Sequence, residues 1–335
     1  MTLPADGDEG SVLGTPVLFL IFNRPDTTTR VFEAIREARP SRLYVAADGP
    51  RADKEGETQR CLETRKITEA VDWPCEVRRL YREENLGCKL AVSSAITWFF
   101  THEEEGIILE DDCLPDQSFF PFCAAMLERY RDDGRIMMVL GTSLLPPGGG
   151  PDADYLFTQY FLIWGWATWR RAWEKYDIEM REWPAFRDSD GLYRAYRDRE
   201  LADHVEDVYE ATYRGRIDSW DMQWFLTCLA ADGVALMSRR NLVSNIGLDG
   251  IHSDGTAMRI HLLPTCSVDV ANLSHPREVA VDPKVEKRLI RNVKYLIEYR
   301  WMKGKLHARG ILESTYSVLS AINRERWPYG RFRIE

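Results

Sequence analysis

The chain has 335 residues, enough for one large domain or two modest ones with a substantial hydrophobic core. Apolar residues make up 44% and charged residues 29%, which excludes a disordered, collagen-like or low-complexity protein. The net charge of −9 argues against a protein that coats nucleic-acid phosphates, so no nucleic-acid partner is expected. The charge is uneven, because the residues from Arg277 onward hold fourteen Lys and Arg against seven Asp and Glu.

Neither the cysteines nor the apolar runs indicate secretion or membrane insertion. Seven cysteines with no CxxC pair argue against a disulfide framework and favour a reduced compartment. No run approaches the ~20 apolar residues that span a bilayer. We therefore expect a cytoplasmic protein, which could also sit at the inner face of the membrane.

Strands and helices alternate along the first part of the chain. Residues 1–14 are predicted to form a flexible leader. Strands are predicted at Val17–Phe22, Leu43–Ala47, Glu76–Leu80, Gly106–Leu109 and Ile136–Leu140. Helices are predicted at Thr28–Ala38, Gln59–Val71, Lys89–Phe100 and Phe119–Tyr130. This alternation predicts an α/β fold with a mostly parallel sheet and helices on both faces.

A loop rich in Gly and Pro at residues 146–151 divides the main body, residues 15–276, into halves of 15–145 and 152–276. The second half is predicted to be helical at Ala167–Tyr176, Gly191–Tyr213 and Met222–Ala231. Residues 277–335 are predicted to form a basic helical extension, with helices at Val281–Trp301 and Ile311–Ile322. The first of these helices could rest on an anionic membrane surface, or it could pack on the body with its cationic face in solvent.

Polar side chains follow three of the predicted strands, and ligands of parallel sheets bind at this edge. These side chains are Arg24, Asp48 and the run Glu110-Asp111-Asp112. Three adjacent carboxylates repel one another unless a cation offsets them, and their hard oxygens suit Mn²⁺ or Mg²⁺. The alternative is a solvated acidic turn.

Phosphates would need an unusual partner in this chain, because neither GxGxxG nor GxxxxGK[ST] is present. Arg24 lies at a predicted helix start, where the helix dipole disfavours a cation unless an anion binds there. Lys89 is a second candidate phosphate partner, or a solvated charge on a helix. Asp48 could accept hydrogen bonds from a base or ribose, or it could simply form a turn.

The second half holds the candidate acceptor site. The rings of Trp164, Trp166 and Trp220, with Gly165 between two of them, could stack on sugars or pack in the core. Asp221, near a helix start, could act as a general base, with Asp218 as the rival; helix capping is the alternative for Asp218. His252 could bind a metal or phosphate, although a lone loop histidine usually does neither.

The ordered segments resemble nucleotide-diphospho-sugar transferases of the GT-A fold. The segments are Val-Leu-Phe-Leu-Ile-Phe-Asn-Arg-Pro, Ala-Asp-Gly, Ile-Leu-Glu-Asp-Asp, Tyr-Phe-Leu-Ile-Trp-Gly-Trp and Ser-Trp-Asp, within residues 16–253. The chain is similar to bacterial family-2-like members and, more distantly, to N-acetylglucosaminyltransferase I. The resemblance implies a Rossmann-like GT-A fold in which Arg24 and Asp48 hold the nucleotide. It places Asp111 near the ribose, Asp112 on the metal and Asp221 as the base.

One departure from the family pattern keeps the identity of the base open. The eukaryotic relatives carry two consecutive acids in the Trp-Asp segment, whereas Met222 follows Asp221 here. The resemblance implies a metal-dependent inverting glycosyltransferase with a nucleotide-diphospho-sugar donor, UDP favoured, and a glycan or lipid-linked acceptor in bacterial glycan synthesis. The alternatives are a sugar nucleotidyltransferase, whose usual glycine-rich phosphate loop is missing, and a non-catalytic carbohydrate-binding protein, which would leave the carboxylates unexplained.

Overall fold

A central sheet of eight strands organises the part of the protein that the computed structural model describes, residues 12–145, 153–247 and 263–292. Six strands run parallel: β1 (Val17–Ile21), β2 (Arg42–Ala47), β3 (Glu76–Tyr81), β4 (Glu105–Glu110), β6 (Ile136–Leu140) and β9 (Val234–Ser238). Two run antiparallel: β7 (Tyr155–Thr158) and β8 (Trp166–Trp169). The spatial order is β3-β2-β1-β4-β8-β6-β9-β7. A separate antiparallel pair joins β5 (Cys113–Pro115) to β10 (Val243–Asn245).

Helices cover both faces of the sheet. They are α1 (Pro25–Ala38), α2 (Glu57–Ile67), α3 (Gly87–His102), α4 (Phe119–Arg129), α5 (Arg170–Trp173), α6 (Trp183–Asp188), α7 (Gly191–Tyr196), α8 (Arg199–Tyr213) and α9 (Asp221–Ala230). Alternate residues of β1 point into two separate cores, because successive strand side chains face opposite ways. Val17 and Phe19 pack with α1 and α4, whereas Leu18 and Leu20 pack with α3 and α9. The predicted mostly parallel α/β architecture is confirmed.

The strand register brings the predicted polar residues to one edge of the sheet. β1 pairs with β2 through Ile21 and Ala47, and with β4 through Leu20 and Glu110. Because these strands are parallel, the segments that follow them leave the sheet at the same edge. β8 is antiparallel to β4 and begins at that edge, which places Gly165 there as well.

Two helix predictions in the second half are wrong. The predicted helix Ala167–Tyr176 is strand β8 followed by the single turn α5, because Trp166–Trp169 pairs with β4 and β6 inside the sheet. The predicted helix Gly191–Tyr213 is two helices, α7 and α8. The break lies at Arg197, whose φ of 53° is left-handed and ends α7.

The described ends of the chain pack on the body. Ser41 N donates to Leu13 O at 2.9 Å, so the end of the predicted leader is attached to the start of β2. Residues 283–292 are helical and bury Leu289 and Ile290, while Lys284, Lys287 and Arg291 face solvent. In this stretch the helix therefore packs on the body with its cationic face outward. Lys294, the helix Ile311–Ile322 and the loop at 146–151 lie outside the described residues.

The apolar faces of the helices are used for packing within the protein. Among the described residues, no helix is both long enough and apolar enough to cross a membrane.

Candidate active site

Arg24 binds two acids where β1 and β4 end. Its Nη1 lies 2.6 Å from Asp112 Oδ2 and 3.4 Å from Asp111 Oδ1. Phe22 N donates to Asp111 Oδ2 at 3.0 Å, so both oxygens of Asp111 have protein donors. The parallel register thus gathers three of the residues that the sequence predicted for the donor site.

The acids around Arg24 carry more negative charge than one guanidinium offsets. Burial, then the charges of Asp112, Asp111 and Asp221, raise the pKa of Glu110 well above its usual value, and Arg24 opposes this rise. Burial also raises the pKa of Asp111. The Oε1 atom of Glu110 is buried and has no hydrogen-bond partner among the described residues. An unpaired buried carboxylate oxygen is costly unless a proton or a cation reaches it.

The end of β10 and the residues after it pack against Asp112, and the sequence did not predict this contact. Ile246 N donates to Asp112 O at 2.7 Å, and Asn245 Nδ2 lies 3.4 Å from Asp112 Oδ1. A Cβ on Gly247 would collide with Asp112 Oδ2, so only glycine fits this approach. The sequence marked this stretch only as a polar loop leading to His252, and His252 lies outside the described residues.

Glu57 also supports the site, and no motif in the sequence indicates this role. It is fully buried and accepts hydrogen bonds from Arg51 N at 2.6 Å and from Asn23 Nδ2 at 2.8 Å. The Arg51 guanidinium also binds its carboxylate. Glu57 therefore holds Asn23, the residue that precedes Arg24, against the start of α2.

Asp48 is committed to backbone amides. Its carboxylate accepts hydrogen bonds from Gly49 N at 3.0 Å, from Leu86 N at 3.0 Å and from Gly87 N at 3.2 Å. Asn85 Nδ2 donates to it as well, at 2.9 Å. This geometry matches the turn-forming alternative, and a nucleotide contact by Asp48 stays a prediction.

Asp218 and Lys89 meet at the start of α3. The carboxylate of Asp218 accepts from Cys88 N at 2.9 Å and from Lys89 N at 3.1 Å. Asp218 therefore caps a helix, but a different helix from the one that follows it in the chain. The Lys89 side chain is half-buried, and its ammonium makes no ion pair with the described residues.

The Cys88 thiol shows that acids from both halves of the chain lie close together. Burial, followed by the charges of Glu110, Asp221, Asp218 and Asp48, raises the pKa of this thiol to about 12. Asp221 is the first residue of α9, and its Oδ1 accepts hydrogen bonds from the Ser219 hydroxyl and, at 3.0 Å, from Met222 N. The candidate base thus faces the same region as the acids after β4.

The tryptophans divide between the core and the site edge. Trp166 and Trp220 are 0% and 2% exposed, and their rings stack with centroids 5.8 Å apart. Their predicted place on a pocket wall is therefore wrong, because buried rings cannot reach a sugar. Trp164 is half-buried beside Gly165, whose φ is +63°. The aromatic support for a carbohydrate-binding protein is correspondingly reduced.

The donor set around Arg24 fits a divalent metal only as an open site. No group of three or more His, Cys, Asp or Glu side chains converges on one point within the described ranges. Mg²⁺ is commonly held by one or two carboxylates, with waters and substrate phosphates completing its shell. Asp112 would supply one such carboxylate, and the Oε1 atom of Glu110, which has no partner in the described ranges, would supply a second.

An open groove of about 800 Å³ elsewhere on the molecule, between α1 and β5, contains none of these residues. It is lined by side chains such as Arg30, Glu33, Trp73 and Gln117. The candidate site is therefore defined by its charged cluster rather than by this groove.

The solved structures that are similar to the chain include two with low sequence identity. No protein-family model and no curated protein matches the chain. Mouse xyloside xylosyltransferase 1, in its apo form, is 10% identical with a TM-score of 0.31, over 65% of this chain and 81% of that one. HddC from Yersinia pseudotuberculosis is 12% identical with a TM-score of 0.27, over 38% of this chain. The match spans 57% of the length of HddC.

Proposed function

We propose that the protein is a metal-dependent inverting glycosyltransferase. It transfers a hexose or N-acetylhexosamine from a nucleotide-diphospho-sugar, UDP favoured, to a hydroxyl of a glycan or lipid-linked acceptor. The observation that carries the proposal is the gathering of Arg24, Glu110, Asp111 and Asp112 at the carboxyl edge of the sheet, with Asp221 facing them. Ligand sites of open parallel sheets lie at this edge.

The donor side would use the cluster around Arg24. Arg24 and Lys89 would neutralise the diphosphate, and Asp111 would lie near the ribose. Asp112, with Glu110 beside it, would hold a divalent cation, and that ion, when bound, would supply Lewis-acid stabilisation of the departing diphosphate. Of the two cationic side chains, Arg24 and Lys89, only Arg24 forms ion pairs with these carboxylates within the described residues.

The acceptor side would use Asp221. Its carboxylate would take the proton of an acceptor hydroxyl as that oxygen attacks the anomeric carbon from the side opposite the diphosphate. Asp221 is half-buried and is the first residue of α9.

The test is transfer and donor hydrolysis with a panel of nucleotide-diphospho-sugars in the presence of Mn²⁺. We expect Asp112→Ala to lose metal-dependent UDP binding, measured by calorimetry, and Asp221→Ala to keep UDP binding while losing transfer. Asp203→Ala on α8, an exposed acid whose ion pair is with Arg199, is the matched control. Undiminished turnover in both site variants would overturn the assignment, and the anomeric configuration of the product reports inversion.

A further inference from the structure

Two carboxylates from distant parts of the chain share the N-terminus of α3. Asp48 accepts from Leu86 N and Gly87 N, at 3.0 and 3.2 Å. Asp218 accepts from Cys88 N and Lys89 N, at 2.9 and 3.1 Å. The first amides of a helix have no partner within the helix, and here all four are paired by side chains from outside it. The start of α3 is therefore a junction between the two halves of the chain.

Gly87 allows this close approach. Its φ is +77°, a left-handed conformation that glycine adopts without strain. A Cβ at this position would lie 2.7 Å from Asp218 Oδ2, closer than real contacts allow. The backbone of α3 can thus meet the Asp218 carboxylate only because residue 87 has no side chain.

The same short segment that carries Asp218 also carries the candidate base. Asp218 lies three residues before Asp221, and between them Trp220 is buried against Trp166. Tyr176 donates its hydroxyl to Trp220 O at 3.1 Å. The segment is therefore attached at two points, to α3 through Asp218 and to the core through Trp220, and α9 starts directly after the second point.

We propose that Asp218 is a positioning residue for Asp221. Its carboxylate ties the start of α9 to the start of α3, and α3 is tied through Asp48 to the end of β2. This chain of contacts fixes Asp221 relative to the carboxylates that follow β4. The inference rests on the proposed function, and it assigns to Asp218 an effect on the acceptor step without any proton transfer of its own.

Paired substitutions at the two acids test the assignment. Asp218 uses Oδ2 for Cys88 N and Oδ1 for Lys89 N, so Asn keeps one of the two acceptors and Ala keeps neither. We expect Asp218→Asn to keep kcat within about threefold of the wild type, and Asp218→Ala to lower kcat about tenfold with little change in the donor KM. Asp221→Asn should abolish transfer and remove the base limb of the pH–rate profile, which Asp218→Ala should keep.

Loss of transfer in Asp218→Asn equal to that in Asp221→Asn would overturn the proposal, because Asp218 would then be the proton acceptor. Wild-type kcat in Asp218→Ala would overturn it as well. Asp218→Asn and Asp218→Ala lose the same charge and differ in one hydrogen-bond acceptor, so the difference between them reports the hydrogen bonding.

A second readout needs no substrate. We expect amide hydrogen exchange in Asp218→Ala to accelerate at residues 86–89 and also at 221–224, and to accelerate less in Asp218→Asn, which keeps one acceptor. Unchanged exchange at 221–224 in Asp218→Ala would overturn the positioning role whatever the enzyme does. Failure of the wild type to use any nucleotide-diphospho-sugar, with the exchange result as expected, would overturn the proposed function and leave the link between α3 and α9 established.

Discussion

Arg24 is the cation that holds the carboxylate cluster together, so Arg24→Met should destabilise the fold. Removing one partner of a fully buried ion pair costs about 3–5 kcal/mol, whereas an exposed pair contributes about 0–1 kcal/mol. The Arg24 side chain is 27% exposed, and those of Asp111 and Asp112 are 9% and 12% exposed. We therefore expect a loss of about 2 kcal/mol at pH 7, between these two limits. With an unfolding entropy of about 2.1 cal/mol/K per residue, this loss lowers Tm by about 3 °C.

The stability lost in Arg24→Met should become smaller as the pH falls. Without the guanidinium, the pKa values of Asp111 and Glu110 rise further, so these carboxyls take up protons in the folded variant at a higher pH than in the wild type. The variant therefore gains stability relative to the wild type on acidification. Urea unfolding of both proteins between pH 5 and pH 8 measures the difference. Arg30→Met, an exposed position on α1, the helix that follows Arg24, is the control, and a loss equal to that control at every pH would refute the reasoning.

Three further substitutions test individual contacts. Burial alone would raise the pKa of Glu57, but hydrogen bonds from Arg51 outweigh burial and lower the pKa. The free energy of unfolding of the wild type should therefore fall between about pH 5 and pH 3. The fall should be smaller in Glu57→Gln, which has no carboxyl group to protonate. Burial raises the pKa of Glu286, whose carboxylate accepts from Thr158 and Gln159. Glu286→Ala should therefore lose about 1–3 kcal/mol of unfolding free energy, measured with denaturant at pH 7. Glu286→Gln should stay within about 1 kcal/mol of the wild type or gain stability, because it removes the buried charge and keeps a polar side chain. Equal losses in both variants would contradict the view that the buried charge is destabilising. Gly247→Ala should weaken Mn²⁺-dependent UDP binding about tenfold in calorimetry, because the new methyl displaces Asp112, while Gly14→Ala, whose Cβ enters open space, should not.

The first half of the fold follows from local patterns in the sequence. Apolar runs of strand length separated by helical periodicity predicted β1, β2, β3, β4 and β6 to within a residue or two. The parallel order then places the residues after β1, β2 and β4 at one edge without further information. The second half is different, because Trp166–Trp169 becomes a strand through pairing with β4 and β6 rather than through its own preference.

The candidate site was predictable in its charges and not in its hydrogen bonds. A carboxylate after a strand indicates an edge position, which was enough to bring Arg24 to Asp111 and Asp112. Nothing in the spacing indicates that Asp218 would reach amides 130 residues away, or that Glu57 would hold Asn23. Such contacts depend on the packing of distant segments, and one sequence carries no local signal for them.

Arg24 binds Asp112 Oδ2, and a divalent cation would be held by the same carboxylate. Removing Arg24 should therefore change the affinity for the free ion and the affinity for UDP in opposite directions. With the guanidinium removed, Mn²⁺ alone no longer competes with Arg24, so Arg24→Met should bind the free ion more tightly, by about tenfold for each 1.4 kcal/mol released. UDP should bind this variant more weakly, since the cation that neutralises the diphosphate is lost. Titration of Mn²⁺ with and without UDP separates the two effects, and Asp112→Asn should remove both. Weaker binding of Mn²⁺ alone by Arg24→Met would show that the guanidinium supports the ion instead of competing with it, and the metal would then have to lie elsewhere in the cluster.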